Sequence, residues 1–149
     1  MLSLEVALGR EFVNKTSTAF VADGEVLQAL MRRSSAIALP DDQVLFRQGD
    51  PPAGLYILKS GRATLTMRSE QGQVVMRVEA SAGSLLGLPG MLGNVPYTLT
   101  AEAHEGAELD FLSRDEFCEI IQTDPQLALK LLQVLAAEVR SARQVLSGL

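Results

Sequence analysis

From Ser35 to Ser113 the chain is written in short apolar runs separated by turn chemistry, and that rhythm excludes most architectures. Ala63, Leu65 and Met67 alternate with Thr64, Thr66 and Arg68, the period of a strand wet on one side. After a Ser69 to Gly72 turn, Val74, Met76 and Val78 face one way while Gln73, Val75, Arg77 and Glu79 face the other, so the two runs make a hairpin. Gly49-Asp50-Pro51-Pro52 stops one strand, Ser60-Gly61 joins two more, and the polar His104-Glu105-Gly106 turn separates Tyr97–Ala103 from Ala107–Ser113. Short strands at intervals of about 8 to 12 residues predict a sandwich or barrel. A chain of 149 residues, 47% hydrophobic and 21% charged, is large enough to be one domain with its own core.

Helices flank this β region. Asp23 is placed to cap a helix from Gly24 to about Arg33, in which Val26, Leu27, Leu30 and Met31 form one apolar stripe. Residues 1–22 have weak periodicity and read as irregular or marginally helical. Ser113, Arg114, Asp115 and Glu116 spell a capping box for a short helix through Ile121 that buries Phe117, Ile120 and Ile121. Cys118, beside Phe117 and Ile120, reads as a buried, inert thiol. Asp124 and Pro125 then open a last helix reaching roughly Ser147. On it Ala128, Leu132, Leu135, Val139, Ala142 and Leu146 recur in steps of four and three for about three heptads, with Leu131 and Val134 widening the start. A helix packed only on a barrel needs its stripe only near the barrel. Persistence to Leu146 therefore predicts a homodimer in which a second copy supplies a parallel partner helix.

The richest turn chemistry lies in Gly83 to Thr100, where Gly83, Gly87, Pro89, Gly90, Gly93 and Pro96 punctuate a run between two apolar strands. This register resembles the ligand-binding cassette of the cyclic nucleotide-binding domains, in which one Gly opens a loop, a second precedes a Glu, and a short helix leads to an Arg followed by Thr or Ser. Phe46, Gln48, Gly49, Asp50, Leu55, Tyr56, Ile57 and Gly61 also stand where that family carries its strand, Gly-Asp turn and aromatic-centred strand. The resemblance covers roughly residues 37–146. It implies a mainly β fold with flanking helices: a double-stranded β-helix, the jelly-roll barrel, plus a long C-terminal helix. Residues 1–149 are then a single domain, with an N-terminal segment at 1–22, the β-barrel at 35–113 and C-terminal helices at 114–147. In the bacterial transcription regulators of the family the C-terminal helix dimerises, which supports the homodimer. Those regulators continue into a helix-turn-helix domain, whereas this sequence stops at Leu149, so no DNA binding is expected of it.

Two departures from the family pattern decide what function to expect. The family-equivalent ligand pocket comprises Gly83, Leu85, Leu86, Gly87, Leu88, Tyr97, Thr98 and Thr100. Leu88 stands at the Glu that accepts from the ribose hydroxyl, and Tyr97 at the Arg that pairs with the cyclic phosphate. Leucine accepts no hydrogen bond, and a phenol brings no charge to a phosphate leaving water. Each charge-assisted bond contributes roughly 1.5 to 3 kcal/mol, so losing two weakens binding on the order of a hundred- to ten-thousand-fold. Pro89 removes a further N–H and pushes Leu88 away from the helical region. On this alignment the double change Leu88→Glu with Tyr97→Arg should restore nucleotide binding. Two roles for Tyr97 stay open: a hydrogen-bond donor to a ligand, or a plug filling the vacated pocket with Leu85, Leu86, Leu88 and Met91. A pocket lined by those residues would also suit a hydrophobic ligand such as a fatty acid. Arg68 and Arg77, the only nearby strand arginines, read as solvent-facing.

Other classes fall on composition. A formal charge of −5 argues against a nucleic-acid surface. The opening residues lack the basic start of a secretory signal, no run approaches a membrane span, and the expected location is cytoplasmic. A single cysteine, Cys118, excludes an internal disulfide. His104 is the only histidine, reads as a solvated group in a polar turn, and cannot supply the several ligands that a metal enzyme on a related barrel requires. No metal, cofactor or catalytic set is expected, and neither His104 nor Cys118 sits in a context suited to haem. The leading expectation is a non-enzymatic regulatory domain whose pocket is degenerate or repurposed, signalling through dimerisation or protein contacts. The alternatives are a genuine cyclic nucleotide receptor using backbone N–H groups, Thr98 and Thr100, and a purely structural dimer module.

Overall fold

A computed structural model describes the backbone of residues 16–147 and the side-chain environments of residues 19–140. In chain order it contains β1 (Thr16–Thr18), α1 (Gly24–Met31), β2 (Ser35–Ala38), β3 (Gln43–Phe46), β4 (Gly54–Ser60), β5 (Ala63–Arg68) and β6 (Val74–Ala80). There follow β7 (Leu85–Leu86), α2 (Leu88–Gly93), β8 (Thr100–Ala103), β9 (Glu108–Ser113), α3 (Arg114–Thr123) and α4 (Pro125–Ser147). One sheet has the order β1-β6-β5-β8-β3 and the other β2-β9-β4-β7. All pairings are antiparallel except β1 on β6. The predicted jelly-roll barrel with its flanking helices is the observed architecture.

The second sheet is covered on both sides, which explains why β4 reads as an almost unbroken apolar run. Leu55 and Ile57 join Leu112 on its helix-facing side and pack with Val26 and Leu30 of α1, Phe117 of α3 and Leu131 of α4. Tyr56 and Leu58 alternate to the barrel interior with Leu109, Phe46 and Leu86. On the helix-facing side Asp110 is 6% exposed. Lys59 Nζ lies 2.8 Å from its Oδ1 and the Ser34 hydroxyl donates to its Oδ2 at 2.6 Å. Burial pushes this carboxyl up, but the bonds from Lys59 and Ser34 outweigh it and hold it below its ordinary value.

The caps act as the sequence predicts. Asp23 Oδ1 accepts from the Val26 N–H at 2.9 Å, Ser113 Oγ from Glu116 at 3.2 Å, and Asp124 Oδ1 from Leu127 at 3.0 Å. The return arm of the capping box is diverted, because the Glu116 carboxylate takes the Arg33 guanidinium instead, at 2.9 Å from Nε.

Four local expectations need correction. Within the segment read as irregular or helical, Thr16–Thr18 form a strand parallel to β6, and Val21 bridges to Ser84; residues 1–15 lie outside the described residues. Tyr97–Leu99 do not begin a strand, since the Tyr97 backbone turns to the Gly-Asp turn, donating to the Asp50 carbonyl at 2.9 Å and accepting from the Gly49 N–H at 2.8 Å. Leu88 is not displaced from the helix by Pro89 but is its first residue. Gly87, at φ 96°, turns the chain sharply enough to admit Pro89 near the helix start, where its missing N–H breaks no bond. Cys118 is exposed, not buried, because α3 turns Phe117 and Ile120 inward and leaves position 118 off that stripe.

Candidate functional site

Beside the glycine-rich loop the barrel leaves a cavity of about 230 Å³. Its floor is the inner face of the hairpin, Leu65 and Met67 of β5 with Met76 and Val78 of β6. Leu85, Leu86 and Gly87 form one wall, and Leu135, Glu138 and Val139 of α4 close the other. Glu138 is the one ionisable group among the described lining residues, and no Lys, Arg or His joins it. Burial alone pushes its carboxyl up to about 7. Such a chamber suits apolar matter, and its described lining meets an anion with nothing of opposite sign.

The structure divides the predicted pocket residues. Leu85, Leu86, Gly87 and Thr98 line the cavity. Gly83, Leu88, Tyr97 and Thr100 do not. Gly83, at φ 96°, receives the Ala22 N–H on its carbonyl at 3.0 Å, and a side chain there would meet Val21. Thr100 Oγ accepts the Gln48 N–H at 2.9 Å. Leu88 is fully buried, at 0% exposure, in the cluster under the helices that also holds Met91.

Tyr97, 3% exposed, is a strut within the fold and not a plug in the cavity. Its ring stacks on Phe46 at a centroid distance of 3.9 Å. Its hydroxyl accepts the N–H groups of Ala53 and Gly54 at 3.0 and 2.9 Å and donates to the Gly54 carbonyl at 2.6 Å. The backbone must come this close: a side chain at Gly54 would strike the Phe111 ring at 2.3 Å, and one at Gly87 would reach the Tyr97 ring at 2.9 Å. Of the plug that was one of the two open roles for Tyr97, Leu85 and Leu86 do line the cavity, whereas Leu88, Met91 and Tyr97 are not among its lining residues, and about 230 Å³ stays open.

Of the seam on α4, Leu132 and Val139 are exposed, at 51% and 45%, while Leu127, Leu131 and Val134 are buried against the body. Leu135 is partly buried, and the side chains of Ala142 and Leu146 lie outside those described. Arg68 and Arg77 face solvent, as expected, with the Arg68 guanidinium held by the Gly72 carbonyl at 2.8 Å. His104 is not a free solvated group. It is 27% exposed and hydrogen-bonded to Thr64 at 2.7 Å. Sequence reasoning missed Glu138, although an acid placed between Leu135 and Val139 breaks the apolar stripe and marks the position.

No helix among the described residues is long and apolar enough to cross a membrane. Comparison with known proteins matches residues 36–124 to the family described as the cyclic nucleotide-binding domain. The chain superposes on the catabolite activator protein of Thermus thermophilus with a TM-score of 0.71 and 26% identity, covering 84% of this chain and 59% of that one. It is 25% identical over 126 residues to a transcriptional activator of Pseudomonas aeruginosa, covering 85% of this chain and 50% of the activator. It is 29% identical over 99 residues to a lysophospholipase of Neurospora crassa, which is 66% of this chain but 6% of that enzyme. The chain thus spans at most about half the length of these two curated relatives.

Proposed function

The chain belongs to the cyclic nucleotide-binding domain family, and from that premise we propose that it is a non-enzymatic regulatory domain whose pocket no longer serves a cyclic nucleotide. One observation carries this reading: neither Leu88 nor Tyr97, which stand at the family's charged anchors in the sequence register, is among the residues lining the cavity, and the described lining offers a carboxyl and no cation. A cyclic phosphate entering it would lose its water and approach Glu138 unpaired. Signalling then runs through contact between chains. The exposed Leu132 and Val139 support a homodimer along α4, and Val139 also lines the cavity, so an occupant would touch the seam itself. The open cavity favours an apolar ligand over a purely structural module.

Titration calorimetry with millimolar cyclic AMP and cyclic GMP tests the first part, with no saturable heat expected; saturable binding would restore the genuine-receptor reading. Sedimentation of the Leu132→Glu, Val139→Glu chain tests the second. A wild-type dimer that becomes monomeric supports the seam, and a monomeric wild type refutes it.

A further inference from the structure

The outer face of the first sheet carries a constellation that the pocket does not use. Antiparallel register sets Glu79, Thr64 and Glu102 side by side on β6, β5 and β8. His104 lies two residues beyond Glu102 and shares its face. Gln43 pairs with Ala103, so continuing the ladder by one residue sets Asp42 opposite His104. The backbone fixes this end of the sheet: His104 N–H donates to the Arg62 carbonyl at 3.0 Å, and Glu105 N–H donates to Asp42 Oδ1 at 2.6 Å. Donor atoms of Asp42, Glu102 and His104 consequently lie within 4.8 Å of one another.

Hydrogen bonding outside the trio decides how the imidazole presents itself. Thr64 Oγ lies 2.7 Å from His104 Nε2 and 3.2 Å from a Glu79 oxygen. A carboxylate only accepts, so Thr64 gives its one proton to Glu79 and receives the Nε2–H of the neutral ring. The lone pair is then on Nδ1, which faces Asp42 Oδ2 at 3.9 Å. That is too long for a hydrogen bond but close to the roughly 3.3 Å between two donors on one tetrahedral zinc ion with bonds near 2 Å. Asp42, 60% exposed, has room to make up the difference. The chain Glu79–Thr64–His104 is the outer support that metal-binding histidines use to fix tautomer and basicity.

We propose that Asp42, Glu102 and His104 form a surface site for a divalent transition cation, Zn²⁺ foremost, with water completing its coordination. One nitrogen and two carboxylates suit zinc and its neighbours, whereas Mg²⁺ and Ca²⁺ are served by oxygen alone. A single histidine excludes an interior several-histidine centre and leaves this mixed one intact. The ion ties the segment entering β3 to the turn after β8, and so stabilises the folded chain by mass action.

Because His104 is the only histidine, ring ¹⁵N NMR reports one imidazole without ambiguity. In chelator-treated protein the ring should be the Nε2–H tautomer, and zinc sulfate should shift Nδ1 saturably. Zinc calorimetry should show His104→Gln weakened by far more than tenfold, and Thr64→Val, which removes only the outer support, by about tenfold. A ring unmoved at saturating zinc, or equal zinc affinity in wild type and His104→Gln, would overturn the site. The wild-type ring titration decides the matter even if a variant fails to fold.

Discussion

Replacing Tyr97 by Phe separates the strut that its hydroxyl forms to Ala53 and Gly54 from the ligand-donor role that the sequence left open. The stack on Phe46 survives, and only the hydroxyl is lost, with its bonds of 3.0, 2.9 and 2.6 Å to Ala53 and Gly54. Ala53 is exposed, so water replaces the phenol at its N–H with little change. Gly54 is buried beneath Phe111, and its N–H and carbonyl are left facing the vacated oxygen position. A buried polar group left unpaired costs about 1 to 3 kcal/mol. Two on one residue, sharing whatever relaxation the strand allows, should destabilise by roughly 2 to 4 kcal/mol. With a urea slope near 2 kcal/mol per molar, the midpoint falls by about 1 to 2 M. Urea unfolding followed by circular dichroism measures this directly. If the midpoint moves by less than about 0.3 M, equivalent to roughly 0.6 kcal/mol, the hydroxyl is not a strut and the ligand-donor role returns.

Two further predictions concern the cavity and the lost anchors. Glu138 titrates near 7 when folded against an ordinary 4.5, so the folded chain holds a proton that the unfolded chain has released. Stability should be full below pH 4.5, fall as pH rises to about 7 and then level, by roughly 1 to 3 kcal/mol for a partly exposed group. Denaturant midpoints across this range should flatten in Glu138→Gln; an unchanged slope would assign the pH dependence elsewhere. The double change Leu88→Glu with Tyr97→Arg, which the sequence alignment makes a gain of nucleotide binding, is expected here to unfold the domain. It drives a carboxylate into the site of a fully buried leucine and removes the strut on Gly54. A folded double variant that binds cyclic AMP would show that loop and anchors retain the ancestral geometry.

Much of the fold was legible because its signals are local. Period-two alternation gave the hairpin of β5 and β6, and Asp23, Ser113 and Asp124 marked three helix starts by chemistry that reaches only three residues. What failed depends on distant partners. Thr16–Thr18 is a strand only because the edge of β6 is there to receive it. Leu88 enters a helix against the usual effect of a following proline because Gly87 takes a left-handed turn. The cassette was recognisable as a register, but register does not say which way a side chain points. Leu85 and Leu86 belong to opposite cores, yet both touch the cavity, while Leu88, in the same core as Leu85, does not. Glu138 stands out in the sequence as a break in the apolar stripe of α4, but only the fold shows that this part of the helix closes the cavity.

These placements bear on how such a domain can lose its anchors and keep its loop. In the family pattern an acid and an arginine of the cassette bind the ligand. Here the loop is held by the protein itself: Tyr97 to Gly54 at one end, its backbone to Gly49 and Asp50, and Asn94 to the Arg114 guanidinium at the start of α3. A loop tied this way by its own chain needs no ligand to hold it, and a ligand shifts only an equilibrium that exists. The cavity's opposite wall is different, because Val139 belongs both to it and to an exposed apolar stripe. If occupancy is to be felt outside the barrel, α4 is the element able to report it, through the packing of Leu135, Glu138 and Val139.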